Sequence, residues 1–175
     1  MEKLNIEYLT RTNNELDRIF LKAAYDYAWI RSEDERTKTG ANIARNGVIR
    51  AKGANHFMPG TENVADRSSP EKKHLYIIHA EKDAIANGKR NKVAFALSTM
   101  YMPWIPCVSC YNAVIESGIK KMVVHRDLIE RTPERWIKNL NETLEMARDK
   151  FQIVMYEGKI GNGTKSLFNG EEWNP

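Results

Sequence analysis

The two cysteines of this chain limit what it can fold into more than any other feature. Cys107 and Cys110 lie three residues apart in the segment Pro-Cys-Val-Ser-Cys, and the apolar spacing that follows predicts a helix from Cys107 to Ser117, closed by Gly118. Cysteines at positions i and i+3 in the first turn of a helix project to the same side, and the helix N-terminus favours their thiolate form. The start of this helix is therefore suited to metal or redox chemistry.

A second motif, His79-Ala80-Glu81, opens a helix predicted from His79 to about Ala86. Zinc prefers imidazole nitrogen and thiolate sulfur, and three protein ligands leave the fourth tetrahedral position to water, which is the catalytic arrangement. In this interpretation His79 joins the two cysteines as the third ligand, and zinc lowers the pKa of water from about 15.7 to about 7. Glu81 is close to the metal without binding it, which suits a residue that moves protons.

Three other interpretations stay open from the residues alone. His79 and Glu81, taken singly, are compatible with a partly buried histidine and a solvated carboxylate at a helix start. The cysteine pair, preceded by Trp104 and Pro106, is compatible with a thioredoxin-like redox motif. A purely structural zinc site is the third, and it requires a fourth protein ligand. The candidates for that ligand are the scattered residues His56, His74 and His125. The occurrence of both motifs in one chain favours the open zinc site.

Apolar periodicity and turn residues outline the remaining elements. Thr12 and Glu15 predict a capping box ahead of an amphipathic helix, and Asn46-Gly47 predicts a β-hairpin. Residues 55–73 read as a long loop, rich in polar residues. The predicted strands are 40–45 and 48–54 in the hairpin, then 95–102, 121–125 and 151–156, and one further helix is predicted to begin at Thr132 and Pro133.

The order of these elements predicts an α/β protein with one mixed five-stranded sheet covered by helices on both faces, a three-layer α/β/α arrangement. Length and composition favour a single domain over residues 1–175, with its core at about 12–156 and a tail at 157–175. The 27 basic and 23 acidic residues are interleaved, so no polynucleotide partner is expected. The polar N-terminus and the lack of a long apolar run favour a cytoplasmic protein with no membrane partner.

Most of the chain, from about residue 32 to 156, resembles the cytidine and deoxycytidylate deaminase superfamily. The motifs that carry the resemblance are TGANI at 39–43, GANHFMPG at 53–60, YIIHAEKDAI at 76–85, MYMPWIPCVSC at 100–110 and SGIKKMVV at 117–124. The G-x-N loop and the long loop before His79 are most similar to deoxycytidylate deaminases, including those of phages. The resemblance implies a cytidine-deaminase-like fold, zinc, and a homo-oligomer that is often a hexamer. A phage-encoded member would act in the host cytoplasm.

The implied reaction is the hydrolytic deamination of dCMP to dUMP and ammonia. Allosteric control by dCTP and dTTP is implied as well, with Mg²⁺ expected only together with a bound dNTP effector. Alternative substrates are dCTP, free cytidine or deoxycytidine, and a base within RNA. A catalytically inactive, zinc-stabilised binding module is the alternative from another class, and the presence of Glu81 argues against it because a structural site has no use for that carboxylate.

The resemblance also assigns roles to individual residues. The implied zinc ligands are His79, Cys107 and Cys110, with one zinc ion per subunit because no spare cysteine exists. Glu81 is implied to be the proton shuttle. Asn55 is implied to hold the sugar or base, and the backbone at Ala80 and Ile105 is implied to face the pyrimidine edge. Arg36 matches an arginine of several relatives that is suited to phosphate, since a planar guanidinium group binds two phosphate oxygens at once.

The chain departs from the family pattern near the implied effector pocket. Many relatives have Gly-Tyr-Asn-Gly where this chain has Gly-Ala-Asn-His, and an asparagine replaces the usual apolar or cysteine residue after Gly-Ala. The candidate effector residues are Asn42, Gly53, Ala54, His56 and Gly60. These departures leave the identity of the effector open.

Overall fold

A computed structural model describes residues 3–69, 71–161 and 163–175 of the chain. The first elements are β1 (Thr10–Thr12), α1 (Glu15–Arg31), β2 (Gly40–Arg45), β3 (Val48–Ala54), β4 (His56–Phe57), α2 (Lys73–Tyr76) and β5 (Ile77–Ile78). They are followed by α3 (Ala80–Arg90), β6 (Thr99–Tyr101), α4 (Val108–Ser117), β7 (Lys121–His125), α5 (Arg126–Ile129), α6 (Glu134–Ala147), β8 (Gln152–Tyr156), β9 (Ser166–Phe168) and β10 (Glu171–Trp173). Within these ranges no helix has the length and apolar character that a bilayer crossing demands.

A mixed sheet in the order β1-β8-β7-β6-β2-β3 forms the middle layer. β1, β8, β7 and β6 run parallel, whereas β2 pairs antiparallel with both β6 and β3. The predicted mixed α/β class is confirmed, but the sheet has six strands where five were predicted. The additional strand is β1, whose three residues are too few to show a period-2 pattern in the sequence.

The strand β1 also explains why the predicted capping box is wrong. Thr12 ends β1, and its hydroxyl accepts a hydrogen bond from the Asn14 backbone N–H at 3.1 Å. Asn14 is the N-cap of α1 instead, with its side-chain oxygen accepting from the Leu16 N–H at 2.8 Å. An asparagine directly before the helix satisfies one of the free N–H groups of the first turn, so the threonine is not needed there.

The strand predicted over 95–102 is shorter in the structure. Residues 95–97 form a 3₁₀ turn, and only Thr99–Tyr101 pairs in the sheet. The Phe95 ring packs on Gly88 of α3 so closely that a Cβ at Gly88 would lie 2.7 Å from it. Phe95 therefore packs against α3 and is not part of the strand. The last helix was predicted to have Thr132 as its N-cap and Pro133 as its first residue; it begins one residue later, at Glu134, with Pro133 as its N-cap.

Helices cover both faces of the sheet, as the sequence predicted. Along β7, Met122 and Val124 pack into the core beneath α3, α4 and α6, while the intervening Val123 packs into the core beneath α1 and α5. The predicted hairpin between β2 and β3 turns at Asn46 and Gly47, which have φ values of +52° and +72°. This layering places the starts of α3 and α4 on the same face of the sheet.

The two segments without predicted structure contain short strands. β4, at the start of the long loop, pairs antiparallel with β5, which follows the loop and directly precedes His79. Pro70 of that loop lies outside the described residues. In the tail, β9 and β10 form an antiparallel hairpin, with Ile160 and Phe168 buried in the core beneath α1. The tail is thus packed against the fold.

Candidate active site

The N-terminal ends of α3 and α4 bring the two sequence motifs together. His79 is the N-cap residue of α3 and Cys107 that of α4, and Cys110 lies in the first turn of α4. The Sγ atoms of Cys110 and Cys107 lie 3.3 Å and 3.7 Å from Nδ1 of His79. The three ligand atoms all lie within 4.8 Å of one another. Motifs that are separate in the sequence therefore meet at one point.

This donor set fits zinc. Zn–N distances of about 2.0–2.1 Å and Zn–S distances of about 2.3 Å in a tetrahedron separate nitrogen from sulfur by about 3.6 Å. The observed separations, 3.3 Å and 3.7 Å, lie on either side of that value. In the described part of the chain no fourth histidine, cysteine or carboxylate joins the cluster. One tetrahedral position is therefore left to a ligand from outside the protein.

The histidines considered as a fourth ligand lie elsewhere. Nδ1 of His56 lies 2.8 Å from the Phe57 carbonyl, and Nδ1 of His125 lies 2.8 Å from the Tyr25 hydroxyl. His74 lines the cavity described below without joining the cluster. The geometry therefore favours an open site over a purely structural one.

The two thiols have different electrostatic settings. A hydrogen bond from the Cys110 thiol, helped by His79, lowers the pKa of Cys107 to about 4. The same hydrogen bond and burial raise the pKa of Cys110, so Cys110 keeps the proton that the pair shares. The hydrogen bond between His79 and Cys107 raises the pKa of His79 against the effect of burial. The surroundings of Cys107 thus favour the thiolate form, which is the form that binds a divalent cation.

Glu81 is the buried carboxylate of the site. It lies in the first turn of α3, is 1% exposed and stands outside the three-ligand cluster. Burial raises the pKa of Glu81, and the neighbouring His79 opposes that shift. A carboxyl group with a raised pKa accepts and releases protons closer to neutral pH than an exposed one does. Glu81 therefore has the environment of a general acid and base.

A cavity of about 670 Å³ opens onto His79 and Glu81. We call its buried end, lined by His79 and Glu81, the base, and its exposed end, lined by Arg36, His74 and Arg135, the mouth. Three aromatic side chains of the lining form an aromatic wall, with ring centroids 5.7 Å apart for Trp104 and Trp136 and 4.9 Å apart for Trp104 and Phe168. Both ring pairs are edge-to-face, an arrangement that is favourable and rigid.

Asn55 lines this cavity, yet its side-chain amide is engaged by the protein. Oδ1 accepts from the Ser32 hydroxyl at 2.6 Å and from the Thr39 N–H at 2.9 Å. Nδ2 donates to the Thr37 carbonyl at 2.7 Å and, at 3.4 Å, to the Asp34 carboxylate. These bonds use the full hydrogen-bonding capacity of the amide. The long contact to Asp34 is the one that a ligand can replace at least cost, and direct contact of Asn55 with substrate stays a prediction.

Of the other predicted substrate residues, Arg36 alone lines the cavity. Ala80 and Ile105 are buried beside the ligand residues and are not part of the cavity lining. Arg36 lines the mouth and is exposed. That the backbone of the first two faces the pyrimidine edge, and that Arg36 binds phosphate, both stay predictions.

The predicted effector residues are spread over β2, β3 and the long loop. Asn42 is buried in β2, with its Nδ2 donating to the Phe20 carbonyl at 3.0 Å. Gly53 packs against α3, where a Cβ would meet the Ala84 nitrogen at 2.2 Å. The N–H of the neighbouring Ala54 donates to Asp83 at 3.1 Å.

The two remaining effector candidates, Gly60 and His56, lie in the long loop. Gly60 has a φ of +85°, as a turn glycine does. His56 lines a second cavity, of about 510 Å³, together with Arg36 and Arg67. The effector role of all five candidates stays a prediction.

Sequence reasoning missed the aromatic wall and part of the mouth. Trp136 and Arg135 lie in the first turn of α6, and Phe168 and Asn169 lie in the tail, far from either motif. No short pattern marks these residues. The one available signal was Phe168, a large apolar residue in a tail rich in glycine.

Comparison with known proteins agrees with this geometry. The sequence model of the family described as "Cytidine and deoxycytidylate deaminase zinc-binding region" matches residues 14–126. A probable deoxycytidylate deaminase of Caenorhabditis elegans is 32% identical over 165 residues, covering 87% of this chain and 80% of that protein. The deoxycytidylate deaminase of enterobacteria phage T4 is 46% identical over a shorter stretch of 46 residues, 26% of this chain and 24% of that one.

The fold has solved counterparts. The crystal structure of the dCMP deaminase from cyanophage S-TIM5, in complex with dCMP and dUMP, superposes with a TM-score of 0.63 at 21% identity, covering 83% of this chain and 98% of that one. The family match spans both motifs and supports zinc at the cluster of one histidine and two cysteines. The chain therefore belongs to the cytidine and deoxycytidylate deaminase family and is a deaminase of that family.

Proposed function

We propose that this protein is a zinc-dependent hydrolase that converts dCMP and water into dUMP and ammonia. His79, Cys107 and Cys110 hold the zinc ion in this proposal, and Glu81 carries the protons. The observation that carries the proposal is the buried Glu81 carboxylate beside one imidazole and two thiols at the base of a cavity. The volume of that cavity, about 670 Å³, lies within the roughly 300–1,000 Å³ typical of small-molecule sites.

The residues at the buried end of the cavity have different roles in the proposed reaction. Zinc, when bound by this donor set, lowers the pKa of water and so supplies a nucleophile at neutral pH. Glu81 would take up the two protons of the attacking water one after the other at its carboxylate, delivering the first to the ring nitrogen N3 and the second to the departing amine. Burial of Glu81 favours this exchange because it raises the pKa of the carboxyl group. The aromatic wall presents flat apolar surfaces to the cytosine ring.

The choice of dCMP rests on relatives and on the charge of the mouth. The worm and phage relatives are named deoxycytidylate deaminases, and the cyanophage enzyme has dCMP and dUMP bound. In this chain the mouth carries the cations Arg36 and Arg135, which suit a substrate with a phosphate group. A free nucleoside would leave these cations without a partner.

Purified protein tests the reaction directly. Zinc content is measured first, and ammonia release is then followed with dCMP, deoxycytidine, cytidine, dCTP and a cytosine-containing oligonucleotide. We expect about one zinc ion per chain and the highest kcat/KM with dCMP. Activity confined to the nucleosides would overturn the substrate, and a zinc-loaded protein inactive on every compound would favour the binding module.

The replacement Glu81→Gln tests the proton carrier. The amide has nearly the same shape as the carboxylate but cannot accept and release a proton, so we expect kcat to fall by about 10²–10⁴-fold with zinc retained. Glu116→Gln makes the same chemical change on the exposed side of α4 and should leave kcat unchanged. Normal turnover in Glu81→Gln would remove Glu81 from the mechanism.

Assembly and regulation form the finer part of the proposal. The family resemblance supports a homo-oligomer, often a hexamer, controlled by dCTP and dTTP, with Mg²⁺ accompanying the bound dNTP. The second cavity is the effector site that we propose. It is lined by His56 and the cations Arg36, Arg67 and Lys73, and also by the carboxylates of Glu33, Asp34, Glu35 and Glu62. The catalytic unit is the whole chain as one domain, since residues of the tail line the substrate cavity. Light scattering gives the oligomeric state, and dCMP titrations with dCTP·Mg²⁺ or dTTP give the regulation.

A further inference from the structure

Two arginines at the mouth have no acidic partner in the described part of the chain. Arg36 and Arg135 both line the cavity and are exposed, and neither takes part in an ion pair there. Lys73, a third cation of the lining, is paired with the buried Asp34 at 2.6 Å. Glu71 is the one carboxylate of the lining besides Asp34 and Glu81. The mouth thus has two guanidinium groups available to an anion.

The turn between β9 and β10 contacts both of these arginines. Oδ1 of Asn169 accepts a hydrogen bond from Nη2 of Arg135 at 2.9 Å. The Gly170 N–H donates to the Arg36 carbonyl at 2.7 Å. The Arg36 guanidinium lies over Gly170, where a Cβ would stand 3.6 Å from Nη2. One two-residue turn therefore holds the side chain of one arginine and the backbone of the other.

The Asn169–Gly170 turn is held in one conformation by its backbone angles and by its neighbours. Asn169 and Gly170 have φ values of +53° and +87°, the pair of positive angles that a tight hairpin turn requires. Phe168, directly before the turn, is buried edge-to-face on Trp104. The Asn169 N–H donates to the Thr37 hydroxyl at 3.2 Å, which ties the turn to the segment that carries Arg36.

The segment on the other side of the contact is fixed as well. The Asp34 carboxylate accepts from the N–H groups of Arg36 and Thr37 at 2.9 Å and 3.1 Å. The Lys38 N–H donates to the Leu167 carbonyl in β9 at 2.8 Å. The backbone of Arg36 is thus held from both sides, and its long side chain alone is free to follow a ligand.

We propose that the Asn169–Gly170 turn positions Arg36 and Arg135 as a two-armed clamp for the phosphate of the nucleotide substrate. One guanidinium group binds two phosphate oxygens at once. Two guanidinium groups at the mouth therefore neutralise a phosphate dianion while the cytosine ring of the nucleotide reaches Glu81. The clamp presupposes the nucleotide deaminase proposed above. It makes the C-terminal tail part of the substrate site and makes Arg135 a specificity-determining residue.

Arg135 is the better probe of the clamp because Arg36 also borders the second cavity, whereas of these two cavities Arg135 borders the first alone. For Arg135→Gln we expect the KM for dCMP to rise by about 10- to 100-fold, the range of a hydrogen bond to a charged group. Its kcat should be nearly unchanged, and deoxycytidine turnover should not change. Lys138→Gln removes one positive charge from an exposed position of the same helix, outside the cavity lining, and should leave both substrates unaffected.

The positioning role of the turn has its own variant. Asn169→Gly removes the amide that accepts from Arg135 and still tolerates the positive φ of this position. Arg135 keeps its charge in this variant but loses its orientation, so we expect a smaller rise in the KM for dCMP, about 2- to 10-fold. An unchanged KM in Asn169→Gly, with Arg135→Gln impaired, would keep the clamp and overturn the role of the turn.

Failure of the clamp and failure of the proposed function give different results. Binding of dCMP to the Glu81→Gln protein and to the double variant Glu81→Gln/Arg135→Gln is measured by calorimetry, which needs no turnover. Weaker binding in the double variant supports the clamp even if the preferred substrate is another nucleotide. Equal binding in both overturns the clamp and leaves the deaminase proposal standing. Equal kcat/KM of the unaltered protein for dCMP and deoxycytidine overturns both the clamp and the choice of dCMP.

Discussion

The base and the mouth of the cavity are built in different ways. At the base, His79, Cys107 and Cys110 lie at the starts of α3 and α4, two helices packed against the central sheet and against each other. At the mouth, Arg36 lies in the loop before β2 and Arg135 in the first turn of α6, and a turn of the C-terminal hairpin joins them. The hydrophobic core therefore fixes the base, whereas a few hydrogen bonds fix the mouth.

This structural difference corresponds to two tasks, the chemical step at the base and the selection of the substrate at the mouth. Groups on helices are held more precisely than groups on loops, and the chemical step needs that precision. A phosphate contact tolerates more movement because a flexible guanidinium group follows its ligand. Changes at the base should therefore abolish the reaction, and changes at the mouth should alter the concentration and kind of substrate that the protein uses.

The largest expected effect comes from removing a proposed zinc ligand at the base of the cavity. Replacing Cys110 by serine removes one of two thiolates, so we expect zinc content to fall well below one ion per chain and ammonia release to disappear. Metal analysis of the purified variant checks this. Ser109→Ala changes the exposed neighbour, whose hydroxyl accepts a hydrogen bond from Lys82, and should keep both zinc and activity. Full zinc content in Cys110→Ser would contradict the ligand assignment.

The same difference explains how much of the site the sequence predicted. The base could be predicted because His79-Ala80-Glu81 and the cysteine pair are short motifs at helix starts, and their side chains are of the types that a zinc ion draws together. At the mouth, Arg36 was named from the family resemblance, but Arg135 and Asn169 were not, because neither belongs to a motif and the hydrogen bond between them exists only in the folded chain. A single hydrogen bond of this kind leaves no periodic or compositional pattern in the chain.

A second prediction tests the mouth through its anchor. Phe168→Ala removes a buried ring from the wall, and a buried Phe→Ala change costs about 3–5 kcal/mol of the free energy of unfolding. We expect a loss near the lower end of that range, because the hairpin is local, together with a raised KM for dCMP and unchanged zinc content. Denaturant unfolding, kinetics and metal analysis measure the three quantities.

Leu167→Ala is the matched control for that experiment. Leu167 precedes Phe168 in β9, is less buried and lies outside the cavity lining, and its backbone bond to Lys38 does not involve the side chain. Its KM for dCMP should stay normal. Loss of zinc in Phe168→Ala would contradict the separation between base and mouth.

The fold itself was predictable where local signals and packing agree. Asn46-Gly47 fixed the β2–β3 hairpin, and Gly118, with a φ of +95°, ended α4 as expected. The sequence failed where a tertiary contact decides. Phe95 looked like a strand residue but packs on Gly88, and β1 becomes a strand only because the edge of β8 is available to it. Such contacts override local propensity.

His125 lies beneath the tail and links it to the sheet. Its Nδ1 lies 2.8 Å from the Tyr25 hydroxyl and its Nε2 lies 3.1 Å from the Gly158 carbonyl, which suits a neutral ring with the proton on Nε2. The ring stacks on Trp173 with the two planes 10° apart. Burial lowers the pKa of His125, and the nearby Asp127 opposes that shift. A fall in pH should therefore weaken the packing of the tail by protonating His125.

The smallest expected effect is a dependence of stability on pH through His125. Because the folded pKa of His125 is lowered, the unfolded chain binds more protons below a pH of about 6.5. The stabilisation from the neutral ring is complete above that pH and is lost as pH falls, with a slope of at most about 1.4 kcal/mol per pH unit. His125→Gln keeps a donor for the Gly158 carbonyl but cannot titrate, so its free energy of unfolding should vary less between pH 7.5 and pH 5.5. Urea unfolding at several pH values, with zinc content checked at each, measures this difference, and His74→Gln controls for an exposed histidine. Equal pH dependence in the unaltered protein and His125→Gln would show that acid does not act on the tail through this ring.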